Sequence, residues 1–130
     1  MVVEREVAIT TKKIKTPLSE VKMKIVIVGG VAGGATAAAR IRRLNEHAEI
    51  IIFERSGFIS YANCGLPYYI GGVIEDKEDL TLQTPESFFR RFRIIAKVNH
   101  EVTDIDVQNK TVKVTDLKTG RSFTEKYDKL

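Results

Sequence analysis

Residues 24–54 read KIVIVGGVAGGATAAARIRRLNEHAEIIIFE, and this stretch decides the fold. Lys24 to Val28 is a continuous, β-branched apolar run of the kind found in a strand buried on both faces. Glycines follow at once. From Gly33 to about Asn45 a helix is expected, with Ala35, Ala37, Ala38 and Ala39, then Ile41 and Leu44, set against polar Arg40, Arg42 and Arg43. Small residues on that face permit close packing on a sheet. Glu49 to Phe53 is a second buried-type strand. Strand, helix, strand normally closes as a right-handed parallel crossover, so the fold class is α/β with a Rossmann-like βαβ unit.

The turn between the first strand and the helix is Gly29-Gly30-Val31-Ala32-Gly33-Gly34. It matches the dinucleotide fingerprint at its first and last glycines, Gly29 and Gly34, while Val31 stands at the middle one. The first glycine permits the tight turn, the last lets helix and strand approach, and the middle one normally gives a pyrophosphate room. Gly30 and Gly33 are expected to supply that room here. Glycines alone would also suit an ordinary strand-to-helix turn. The flanking strand and helix, with Glu54 placed 20 residues beyond Gly34 to accept hydrogen bonds from a ribose, favour a nucleotide. An acid with no basic partner for a ribose phosphate favours FAD or NAD over NADP, and the turn does not choose between those two.

Downstream, Ser60-Tyr61-Ala62-Asn63-Cys64-Gly65-Leu66-Pro67-Tyr68-Tyr69 carries the only cysteine. Cys64 follows a polar Asn and opens a short segment that reads as a helix closed by Gly71-Gly72. Its sulfur is thus expected near a helix N-terminus, where the positive end of the dipole favours thiolate. Thr84-Pro85-Glu86 supplies an N-cap, a proline at the first helical position and an acid in the first turn of a helix running to about Phe92. Ile94 to Val98 follows as a third parallel strand. From Val102 the pattern alternates through Val107, turns at Gln108-Asn109-Lys110 and resumes at Thr111 to Val114, an antiparallel hairpin. A second turn at Lys118-Thr119-Gly120 leads to Phe123–Tyr127, completing a small meander appended to the parallel sheet. Tyr68 and Tyr69 read as packing residues, and His100 receives no catalytic role.

Composition narrows the function classes. The chain has 130 residues, 43% hydrophobic and 29% charged, with a net charge of +4. No apolar run could span a bilayer, so no membrane association is expected. Acids are interspersed with the bases and no basic stripe carries aromatics, which argues against nucleic acid. One cysteine excludes an intrachain disulfide framework, and His47 and His100 are too far apart for metal-ligand spacing, so no metal site is expected. Residues 1–22 lack the apolar core of a signal peptide and carry Glu4, Glu6, Pro17 and Glu20. They read as a loosely ordered extension, with residues 23–130 as the folded part and a reducing cytoplasm as the expected setting.

Three stretches, IVIVGGVAGGATAAARIRRL at 25–44, IIIFERSGFISYANCGLPYYIGG at 50–72 and NHEV at 99–102, carry a resemblance from Met23 to the end of the chain. They resemble the single-cysteine branch of the pyridine nucleotide-disulfide oxidoreductases, most closely the coenzyme A disulfide reductases. The second stretch is the specific one, because glutathione-reductase-like relatives carry a second cysteine there and this chain has none.

The resemblance implies FAD as the nucleotide, with its pyrophosphate at Gly29, Gly30, Val31, Ala32, Gly33 and Gly34. It implies the ribose on Glu54, with Arg55 beside it, and the adenine near the Val102 backbone. Cys64 would lie beside the flavin and form a mixed disulfide with coenzyme A. An external thiol would resolve that disulfide, or the sulfur would be held as a sulfenic acid. Thr36, Arg40, Arg43, Ser60 and Asn63 match positions that contact coenzyme A. Thr36, Arg40 and Arg43 stand at i, i+4 and i+7, one helix face on which two guanidinium groups could clamp phosphates; a solvated cationic face would look the same.

The implied activity is FAD-dependent reduction of coenzyme A disulfide or a related disulfide or persulfide by NAD(P)H. NADH oxidase or peroxidase chemistry through a sulfenic acid is the enzymatic alternative, and an FAD-binding remnant needing a separate C-terminal half is the non-catalytic one. Family enzymes are homodimers that continue into NAD(P)H and interface domains. The chain is therefore expected to be the N-terminal part of such an enzyme. An apolar edge is expected to lie open beside Lys24–Val28.

Overall fold

The computed structural model describes residues 22–130; the extension expected at residues 1–22 lies, apart from Lys22, outside the described residues. Strand β1 is Lys24–Val28, helix α1 Ala32–Leu44 and strand β2 Glu49–Glu54. The β1 and β2 strands pair in parallel, with Ile25 opposite Ile50 and Ile27 opposite Ile52. The expected βαβ unit is therefore present.

Five of the six β2 residues are buried, because β2 is the central strand and is covered on both sides. Alternation sorts its side chains by face. Ile50 and Ile52 pack with Ile25, with Ala35 and Ala38 of α1, and with Phe88 and Ile94. Val26, Ile51 and Phe53 point the other way, into Val112, Val114 and Tyr127. Removing a side chain such as Ile52 or Phe53 from water contributes about 1.5–3 kcal/mol. Leu44, expected on the apolar face of α1, is instead 71% exposed at the helix end.

Strand β3 (Ile59–Tyr61) leads through a 3-10 turn at Asn63–Gly65 into the five-residue helix α2 (Leu66–Ile70). A second 3-10 turn, Lys77–Leu80, precedes strand β4 (Thr81–Gln83), which returns antiparallel to β3. This small sheet was not expected from the sequence. Helix α3 spans Pro85–Phe92, with Thr84 as its N-cap. The Thr84 side chain accepts from the Ser87 N–H while Ser87 Oγ accepts from the Thr84 N–H, a reciprocal cap.

Strand β5 (Ile95–Val98) joins β2 in parallel, giving the order β1-β2-β5. Strands β6 (His100–Asp106), β7 (Thr111–Asp116) and β8 (Ser122–Lys126) form the antiparallel meander. It covers the sheet face opposite the helices, so the molecule has three layers. Lys24 Nζ pairs with Glu49 at 3.3 Å and with Glu125, tying β1 and β2 to β8. On the outer side of β1, Ile25 bridges to Lys129, and Val26 donates to the Lys129 carbonyl at 3.0 Å. Past that bridge Val28 is half exposed, and an apolar groove is lined by Ile27, Ala37, Ile41, Ile105 and Leu130.

Candidate functional site: a glycine turn, a buried carboxylate and an exposed thiol

The parallel strands end on the same side as the glycine turn, the position where open α/β sheets bind ligands. Gly29 has φ +95°, a conformation that side chains disfavour, and its N–H donates to the Phe53 carbonyl at 2.8 Å. A Cβ on Gly34 would stand 1.8 Å from the Gly29 carbonyl oxygen, so α1 can leave the turn here only if Gly34 has no side chain. Both fingerprint glycines thus have a steric reason.

The two extra glycines differ. A Cβ on Gly33 would meet nothing within 4 Å, which leaves space over the helix start. Gly30 is buried, and its Cβ would come within 3.0 Å of Ile59 and 3.2 Å of Glu54, so it opens room toward the sheet rather than toward a ligand. Val31 occupies the N-cap of α1 without a side-chain hydrogen bond, and the first turn holds no acid. Ala32, Gly33 and Gly34 therefore begin a 13-residue helix with uncapped donors, which suits an anion such as a pyrophosphate.

Glu54 ends β2 with only 7% of its surface exposed. Its Oε2 accepts from the Gly30 N–H at 2.6 Å and its Oε1 from the Ser56 N–H at 2.7 Å. Burial, the largest single influence, pushes this carboxyl upward. The amide bonds from Gly30 and Ser56, the Ser56 side chain and the charge of Arg55 together outweigh it, and hold the group below the usual glutamate range. Each oxygen keeps lone-pair capacity for a ribose hydroxyl. Arg55 is exposed and pairs with Glu101 at 3.5 Å. Val102 lies in β6 beside a register shift between Val102 and Asp104, its side chain packed on the meander core.

The thiol segment is tied to this turn. The Ser60 N–H donates to the Gly30 carbonyl at 2.7 Å, and Ser60 has φ +54°, a left-handed conformation unusual for a residue with a side chain. Ala62 then donates to the Leu80 carbonyl at 2.8 Å. A Cβ on Gly65 would come within 2.6 Å of Leu80, so the glycine after the cysteine lets the turn sit on that buried leucine. Cys64 is a free, exposed thiol in the 3-10 turn just before α2 rather than in the helix itself, and Asn63 beside it is exposed too. Of the two tyrosines expected to pack, Tyr68 is instead 59% exposed and Tyr69 is half-buried, and α2 fully buries none of its residues.

Thr36, Arg40 and Arg43 all lie on the exposed side of α1, opposite Ala35 and Ala38. Arg42, on the same helix, does different work. It donates to the carbonyls of Phe92, Asn45, Glu46 and Arg93, closing α1 against the end of α3. His100 lies between Phe53 and Phe123, with Nδ1 at 2.7 Å from the Val98 carbonyl, which is a structural setting. Among the described residues no group of three or more His, Cys, Asp or Glu is placed to hold a metal ion, and no helix is long and apolar enough to cross a membrane.

A parallel α/β sheet with a glycine turn, a strand-end carboxylate and a thiol-bearing segment hydrogen-bonded to that turn has the form of a dinucleotide-binding domain. Residues 23–130 match the family model of the pyridine nucleotide-disulphide oxidoreductases, and the chain belongs to that family. It is 51% identical to a coenzyme A disulfide reductase of Staphylococcus aureus over 107 residues, 82% of this chain and 24% of that protein. It thus spans about a quarter of the length of that curated relative. Among solved structures, reduced Bacillus anthracis CoADR-RHD matches with a TM-score of 0.80 and 50% identity, over 82% of this chain and 19% of that one. An NAD-dependent persulfide reductase from A. fulgidus follows at 0.77 and 34%, over 82% of this chain and 20% of that one.

Proposed function

We propose that this chain is the flavin-holding N-terminal part of an NAD(P)H oxidoreductase that reduces coenzyme A disulfide, or a related persulfide, through Cys64. One observation carries the reading: the Ser60 N–H to Gly30 carbonyl bond, which fastens the segment bearing the exposed thiol directly to the nucleotide turn. The residues fit FAD as the nucleotide: the uncapped start of α1 would hold its pyrophosphate and Glu54 its ribose. When bound, FAD would supply the two-electron chemistry that links NAD(P)H to the thiol site.

The Cys64 thiolate attacks one sulfur of the disulfide, forming a Cys64–coenzyme A mixed disulfide and releasing one coenzyme A thiolate. Two electrons then cleave the mixed disulfide, releasing the second thiolate and restoring Cys64 for the next cycle. Arg40 and Arg43 hold the substrate's phosphates, Thr36 lies on the same face, and Ser60 and Asn63 contact the substrate next to the sulfur. Arg55 and the Val102 backbone lie toward the ribose and adenine end. The relatives' names support a disulfide or persulfide as oxidant.

Intact mass of the protein purified without reductant, with Cys64→Ser as control, tests this. A coenzyme A adduct that reductant removes, and that the variant lacks, is the expected result. A single-oxygen adduct at Cys64 would replace this reading with oxidase or peroxidase chemistry through a sulfenic acid. Bound FAD with neither adduct would reduce the chain to a flavin-holding module.

A further inference from the structure

The Gly30 residue is gripped at both ends. Its N–H donates to Glu54 Oε2 at 2.6 Å, and its carbonyl accepts from the Ser60 N–H at 2.7 Å. Side chains confine it from the sheet side, since an added Cβ would meet Ile59, Glu54 and Ile52 at 3.0, 3.2 and 3.3 Å. Glu54 is itself fixed by a second bond, from the Ser56 N–H at 2.7 Å, and Ser56 in turn accepts from the Asn99 N–H at 2.8 Å.

We propose that Glu54 is a positioning residue for the Cys64 segment: through Gly30 it sets the position of Ser60, and so of the chain that carries the thiol. The role deepens the flavin reading and rests on it, because Ser60 to Cys64 matters only if that thiol is used. The left-handed Ser60 explains why an external hold is needed. A residue with a side chain leaves φ +54° readily once its anchoring bond is lost, and the Tyr61–Thr81 pairing, the Ala62 to Leu80 bond and the turn itself then carry a shift of Ser60 on toward Cys64. A ligand ribose would use the lone pairs that the two amide bonds leave free on Glu54, and its pull on that carboxylate would be felt at the thiol.

Both oxygens of Glu54 accept, which dictates the variants. Glu54→Gln keeps the shape but turns one acceptor into a donor facing an amide N–H. Glu54→Asp keeps both acceptors on a side chain one methylene shorter.

The test is amide hydrogen exchange of the flavin-free 130-residue chain, resolved by NMR at Gly30, Ser60 and Ala62, with Val112 and Val114 of the meander as internal controls. Glu54→Gln is expected to speed exchange about tenfold at Gly30 and Ser60 together and less at Ala62, leaving the controls unchanged. Glu54→Asp is expected to recover part of the protection. Faster exchange at Gly30 with Ser60 unchanged would overturn the proposal. So would Asp being worse than Gln, because a space-filling role predicts that order. If the Gln variant does not fold, the Asp variant alone decides, by whether Gly30 and Ser60 change together. FAD affinity, measured separately by flavin fluorescence quenching, isolates the functional reading: failure to bind FAD sinks that reading and leaves the exchange result intact.

Discussion

Gly34 shows how narrowly a single position is constrained. The 1.8 Å approach to the Gly29 carbonyl leaves no room for a methyl group, and the obstacle is backbone that cannot swing aside. Gly34→Ala is therefore expected to destabilise the chain by about 1–3 kcal/mol, the range of overpacked core sites, and to abolish FAD binding. Urea denaturation and flavin titration read the two effects. Gly33→Ala, facing open space, should fold normally and serves as the comparison. The two outer fingerprint glycines were legible from spacing alone. The inward role of Gly30 was not, because Ile59, which it packs against, lies 29 positions away and reaches it only through the fold.

At the scale of elements, β1, α1, β2 and α3 were readable because their signals are long or strongly punctuated. The reciprocal Thr84–Ser87 cap bears this out. Thr84→Ala removes the side-chain acceptor for the Ser87 N–H and is expected to cost about 1 kcal/mol, seen as a lower urea midpoint with an unchanged slope. Strands β3 and β4 escaped because three residues each carry too little periodicity to stand above a loop. Their pairing nonetheless directs the chain from Ser60 toward Cys64. Helix α2 was located correctly, but its burial was misjudged. Apolar side chains in a five-residue helix carry no pattern that says which side faces a neighbour, and here Tyr68 and Ile70 face solvent.

For the whole molecule, charge couples the layers. Lys24 is held above its ordinary 10.5 chiefly by its hydrogen bond to Glu125, with Glu49 adding to it and burial opposing. A raised folded value means that the stabilisation is fully present below pH 10.5 and is lost as pH rises through the folded value. Glu54 runs the other way. Its folded value lies below the ordinary 4.5, so its contribution is present above that pH and is lost as pH falls through the folded value. Urea-denaturation stability should accordingly form a plateau at neutral pH with an acid and an alkaline shoulder. Lys24→Met should remove the alkaline shoulder and Glu54→Gln should weaken the acid one. A variant whose profile matches the parent would contradict the corresponding assignment.

By itself the sequence determined what local chemistry controls: the strand, turn and helix of residues 24–54, the capped α3, the turns of the meander, and the residue types of the candidate site. These signals depend on neighbours within a few positions, where backbone preference and hydrophobic period act. Only the tertiary structure decided how Glu54, Gly30 and Ser60 join into one hydrogen-bonded line. It also decided that the meander covers the back of the sheet and that Arg42 closes α1 against the end of α3. Such arrangements depend on which distant backbone groups are brought within about 3 Å, and chain spacing carries no record of that distance.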